Sequence, residues 1–150
     1  MSPTARIAKE SASDSLFLNH IALGGSQGRP SGPALPFLIS TLTERRYAFA
    51  LEIMRVAKMI RDQREYDLAS QLWRAGTSIG ANIEEAQASQ SRADFRSKMS
   101  IAAKEARECH YWLRLTQDGK VLSESEVNPL IDDIMEIKRI LTSIMKSSGS

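Results

Sequence analysis

Residues Leu68 to Ala86 read LASQLWRAGTSIGANIEEA, and the architecture follows from taking them as a helix. Leu68, Leu72, Ala75, Ile79, Ile83 and Ala86 recur at gaps of three and four, which sets all six on one side of a 3.6-residue helix. A second side carries Ala69, Gly76 and Gly80. A glycine inside a helix costs about 1 kcal/mol against alanine. Two of them one turn apart therefore need a reason. Removing the β-carbon lets a neighbouring backbone approach, so Gly76 and Gly80 are expected at a helix-packing or oligomer contact. A phosphate-cradling glycine loop needs a strand before the helix, and no strand pattern precedes this one.

Working outward, the chain of 150 residues fits one domain with a tail. Hydrophobic residues make up 42% and aromatic residues only 6%, which favours helices over a β-sandwich. Twenty basic and 18 acidic residues leave a formal charge of +2, so any basic surface must come from local arrangement. The single cysteine, Cys109, excludes an internal disulfide framework and suits a reducing, cytoplasmic setting. No apolar run approaches the roughly 18 to 20 residues that span a bilayer.

Residues 1–40 differ from the rest, with four of the five prolines and four of the eight glycines. They read as a disordered or loosely docked tail. Within it SLFLNHIAL (Ser15 to Leu23) is too interrupted by Asn19 and His20 for a signal-peptide core. Leu35, Phe37, Leu38, Ile39 and Leu42 are expected to dock at the domain edge.

Residues 41–147 read as an all-α domain, an antiparallel up-down-up-down four-helix bundle. Thr41 and Glu44 have capping-box spacing, placing a first helix over Thr41 to about Asp62. Its stripe Phe49, Ile53, Val56, Ile60 is joined by a second, Tyr47, Leu51, Met54. Asp67 is a candidate N-cap for the second helix, and Ser91 with Asp94 for the third. The third helix carries a heptad seam at Phe95, Met99, Ala102, Ala106, Cys109 and Leu113, widened by Ile101, Trp112 and Leu115. Gly119 is placed at its left-handed stop. Ser123 and Glu126 form another capping box, and Asn128-Pro129 looks like a fresh start for the fourth helix. That helix has the seam Val127, Leu130, Ile134, Ile137, Leu141, Ile144, with Ile131, Met135, Ile140 and Met145 outside it.

Apolar residues on two sides of the first and fourth helices exceed what one bundle needs, and a monomer would expose several hundred Å² of them. A homo-oligomer is expected, with Ile131, Met135 and Ile140 among its contacts. On the third helix Arg92, Arg96, Arg107, His110 and Arg114 fall near one line along the axis. Such a stripe can contact phosphate, where counterion release rewards arrays of cations. It can equally be a solvated face whose arginines pair with Glu52, Glu105 or Glu108. Arg74 suggests a buried link to glutamates of the third helix. No enzyme is expected. Two histidines build neither a triad nor a typical metal site, and the Glu-x-x-His pairs of di-metal bundles are missing, so no metal or cofactor is expected.

SQLWRAGTSIGANIEEA (Ser70 to Ala86), SRADFRSKMSIAAKEARECHYWLRL (Ser91 to Leu115) and LIDDIMEIKRILTSIMK (Leu130 to Lys146) occur in that order. Together they resemble the four-helix-bundle proteins encoded in intervening sequences of bacterial 23S ribosomal RNA genes. The resemblance implies a left-handed antiparallel bundle assembling as a homopentamer. A related branch, the accessory variability protein of diversity-generating retroelements, binds a reverse transcriptase and template RNA through a basic outer surface. Many members have SIPANI where this chain has Ser78 to Ile83 with Gly80 in place of the proline. The retroelement branch is strongly basic, whereas residues 44–150 here hold 17 basic and 16 acidic side chains. The expected role is thus a non-enzymatic oligomeric scaffold docking an RNA or protein partner. Its alternatives are an accessory protein of a reverse transcriptase and a purely structural oligomer.

Overall fold

The computed structural model describes residues 33–148. The segment up to residue 32, with Ser15 to Leu23 in it, lies outside the described residues. Four helices follow in order: α1 (Leu35–Asp62), α2 (Tyr66–Gln87), α3 (Arg92–Asp118) and α4 (Glu124–Ser147). Each packs on two neighbours, α1 on α2, α2 on α3, α3 on α4 and α4 back on α1, which closes a bundle around one core. Cross-helix contacts run antiparallel. Thr43 meets Gln87 and Arg46 meets Glu84, while Ile53 lies opposite Gly76. Likewise Arg96 reaches Ser148, His110 meets Lys138, and Gln117 bonds Asn128.

Helix α1 starts at Leu35, earlier than the capping signal at Thr41 suggests. The Thr41 hydroxyl donates instead to the Phe37 carbonyl at 3.0 Å, a back-bond made inside a helix. Pro36 sits in the first turn, where its missing N–H costs nothing. Leu38, Ile39 and Leu42 are buried and extend the core stripe, while Phe37 points to solvent.

The other helix ends follow local chemistry. Tyr66 begins α2, so Asp67 lies in the first turn against the dipole rather than capping it. Ser91 does cap α3, its hydroxyl accepting from the Asp94 N–H at 3.1 Å. The left-handed residue after α3 is Lys120 (φ 55°), not Gly119, whose φ is −75°. Gly119 is held close instead: a β-carbon there would fall 2.7 Å from the Leu115 carbonyl oxygen. At α4 the Glu126 carboxylate accepts from the Ser123 N–H at 3.1 Å, so the helix starts there and runs unbroken through Pro129. No fresh start occurs at Asn128. Proline at this position forgoes one bond to the Ser125 carbonyl, and both residues are exposed, so water can serve that oxygen.

The core follows the seams read from sequence. Phe95, Met99, Ala102, Ala106, Cys109 and Leu113 of α3 are all fully buried, as is the α4 set from Val127 to Ile144. Ile101 and Leu115 are exposed, so they do not widen the α3 seam. No described helix is long and apolar enough to cross a membrane.

Candidate functional site

Two outer seams between neighbouring helices carry the side chains that the core leaves over. The first lies along the α1–α2 pair. Tyr47, Leu51 and Met54 follow one another at helical spacing on the flank of α1 next to α2. Tyr47 is 58% and Leu51 50% exposed, and Met54 is half-buried. Trp73, Thr77 and Gly80 occupy the matching flank of α2, with Trp73 37% exposed. The two glycines meet opposite surroundings. A β-carbon on Gly76 would fall 2.6 Å from Ile53 Cγ2, so that glycine admits α1. Around Gly80 nothing lies within 4 Å of such an atom, which leaves open space beside this flank of α2. Arg61 closes one end, 5.9 Å over the Tyr66 ring.

The spare apolar surface is distributed differently from the expectation. On α4 only Met135 is an exposed large apolar residue. Ile140 is 1% exposed and lies inside the bundle, because α4 packs between α3 and α1 and buries a wide arc. Ile131 is partly buried against the core. The surplus sits on α1 and α2, and on α3 through Ile101, Tyr111 and Leu115.

The second seam lies along the α3–α4 pair and carries the basic stripe. Its residues divide by what they touch. Arg92 Nε donates to the Ser148 carbonyl at 3.1 Å and Arg96 Nη1 to the same oxygen at 2.7 Å. These two arginines thus sit at the C-terminal end of α4, where cations favour the helix dipole. Arg107 and Arg114 are exposed. Between them His110 Nδ1 is 3.1 Å from Lys138 Nζ of α4. Burial first, then the charges of Lys138 and Arg114, hold the His110 imidazole below its ordinary pKa. The stripe does not pair with Glu52, Glu105 or Glu108: Glu52 binds Arg55, and the other two face Arg74.

The Arg74 link between α2 and α3 exists but is not buried. Arg74 is 54% exposed, bonds Glu108, and lies 3.7 Å from Glu105. The buried arginine is Arg46, 8% exposed and paired with Glu84 across α1 and α2. Its position on the Phe49–Ile53 stripe was the available signal. Glu108 also accepts from the Trp112 indole at 3.3 Å, which ties that ring to the protein surface. Burial pushes the Cys109 thiol well above the ordinary range, as for an unreactive core residue. Among the described residues no three His, Cys, Asp or Glu side chains gather as a metal site.

The sequence model described as 23S rRNA-intervening sequence protein matches residues 41–143, more than half of the chain. The chain is also similar to a crystal structure from Bacteroides thetaiotaomicron, a protein of unknown function from the S23 ribosomal protein family. The two share 38% identity, and the match covers 73% of this chain and 98% of that one with a TM-score of 0.69. No curated protein matches.

Proposed function

The chain belongs to the 23S rRNA-intervening sequence protein family, and from that premise we propose that it acts as a homo-oligomeric helical scaffold, pentameric by family resemblance, whose free outer face docks a partner. The role is non-enzymatic and cytoplasmic. The observation that carries it is the α1–α2 seam, where Tyr47, Leu51 and Trp73 stand exposed and the space at Gly80 is open. The occupant is a second copy of this chain. Contiguous apolar surface of this kind on a soluble protein marks an interface, and open space beside a helical glycine admits a close-packed helix.

With that seam covered, the polar faces remain for a partner. Arg107, Arg114 and Lys138 form no ion pair with a carboxylate among the described residues, which favours an RNA partner over a purely structural role. The same face would serve an accessory protein of a reverse transcriptase. Light scattering at micromolar concentration tests the assembly: the molar mass should be a fixed multiple of 16.7 kDa. A single subunit with a cooperative melt would overturn the reading.

A further inference from the structure

We propose that the α3–α4 seam holds a binding site for a phosphate group, built from Arg107, His110 and Arg114 of α3 and Lys138 of α4. The inference deepens the docking reading above and rests on it for its biological setting, though not for its chemistry.

The contact between Lys138 and His110 fixes the chemistry of the pair. Lys138 Nζ lies 3.1 Å from His110 Nδ1, and an ammonium has protons to give but no lone pair. Nδ1 must therefore be the accepting nitrogen, which puts the ring proton on Nε2. The histidine is neutral in this arrangement and offers a donor through its other side. Burial and the two neighbouring cations favour that neutral form. From α4 the charged group facing the ring is Lys138, and from α3 it is Arg114. Arg107 precedes His110 by three residues and Arg114 follows it by four, so both lie on the same side of α3.

This face of the α3–α4 pair thus carries two guanidinium forks, one ammonium and one imidazole N–H, all of them donors, with the 3.1 Å Lys138–His110 contact between the two arginines along α3. Five other cations of the bundle are answered by carboxylates, Arg46 by Glu84, Arg55 by Glu52, Arg74 by Glu108, Lys98 by Glu85 and Arg139 by Glu136, while Arg45, Lys58, Arg61, Arg64, Lys104, Lys120 and Lys146 form no such ion pair among the described residues. Arg92 and Arg96 are turned to the Ser148 carbonyl. Arg107, Arg114 and Lys138 have no such acid among the described residues. Like charges held on one side of two packed helices repel one another until an anion joins them. A tetrahedral dianion suits the set, because guanidinium forks bind paired oxygens and an ammonium binds one as a point charge. A polynucleotide backbone and free phosphate both present that group.

Inorganic sulfate tests the site in the full-length protein, since it stays dianionic across the range in which histidine titrates. The readout is the Cε1–H resonance of His110, one of two histidines in the chain and identified by its loss in His110→Gln. Sulfate should saturate this signal and raise the His110 pKa, because a bound anion favours the imidazolium. Arg114→Gln and Lys138→Gln should each weaken sulfate about tenfold, as loss of a charge-assisted contact does. Arg55→Gln, on another face, should leave it unchanged, and thermal melts confirm that each variant folds. A short oligouridylate that competes with sulfate identifies a polynucleotide as the source. Competition by inorganic phosphate but not by the oligonucleotide supports the site with a free phosphate as its ligand. The absence of a saturable shift, or a shift indifferent to both variants, overturns the proposal even where RNA binds the protein elsewhere. A molar mass of one subunit with intact sulfate binding would overturn the assembly and leave the phosphate site standing.

Discussion

Gly76 and Gly80 share a flank of α2 one turn apart, yet substitution at each should have opposite signs. Alanine at either position gains about 1 kcal/mol of helix propensity. At Gly76 the new methyl meets Ile53 Cγ2 at 2.6 Å. Ile53 is fully buried, and its branched β-carbon has few rotamers to retreat into. Overpacking of this kind costs about 1 to 3 kcal/mol and offsets the propensity gain. Gly76→Ala should therefore lower the urea midpoint, whereas Gly80→Ala, with nothing within 4 Å, should hold or raise it. A rise in both variants would mean that Ile53 yields and that the α1–α2 approach does not depend on Gly76. The sequence shows two glycines needing explanation but cannot separate them. Both have the same spacing to the core residues, and only the position of α1 decides which one it touches.

Arg74 raises the same question for whole elements, since it joins α2 to α3 from the solvent side. Glu105 is 14% and Glu108 29% exposed, so the acids are more buried than their cation. Arg74→Met leaves both carboxylates without a cation beside the core, Glu108 keeping only its bond from the Trp112 indole, while the exposed arginine itself is well screened. The loss should be about 1 kcal/mol, above the median for a surface pair because of the partly buried acids. A double-mutant cycle with Glu108→Gln should recover part of it, and an unchanged melt in Arg74→Met would remove the link as a stabilising contact. The helices themselves were legible because core spacing is a property of the chain alone: the α3 seam from Phe95 to Leu113 is buried at every position. Helix starts were legible at Ser91, where an oxygen must be supplied to free N–H groups, and not at Thr41, whose hydroxyl also bonds within a helix. Which apolar residues are spare was harder to read. Ile140 and Met135 both leave the heptad seam, and only the placement of α1 against α4 turns the first inward while the second stays exposed.

At the scale of the molecule the proposed assembly and the proposed phosphate site predict one another's consequences. If copies associate through the α1–α2 seam, each brings its own α3–α4 cations to the outside of the assembly, and a modest local charge is repeated around it. One RNA can then touch several copies, and the later contacts form at the high effective concentration set by the first. Leu51→Glu places a charge in the apolar seam without touching α3 or α4, so it should reduce the molar mass to 16.7 kDa while the sulfate response of His110 persists. Gly80→Leu fills the open space there and should do the same. In both variants affinity for a long RNA should fall by about a hundredfold, the scale of lost multivalency. The slope of log affinity against log salt should flatten as fewer phosphates are engaged at once. Arg107→Ala with Arg114→Ala should show the complementary pattern, an unchanged molar mass with weak RNA binding. Full RNA affinity in a Leu51→Glu monomer would separate assembly from recognition, and equal affinity in the double arginine variant would move recognition to another face.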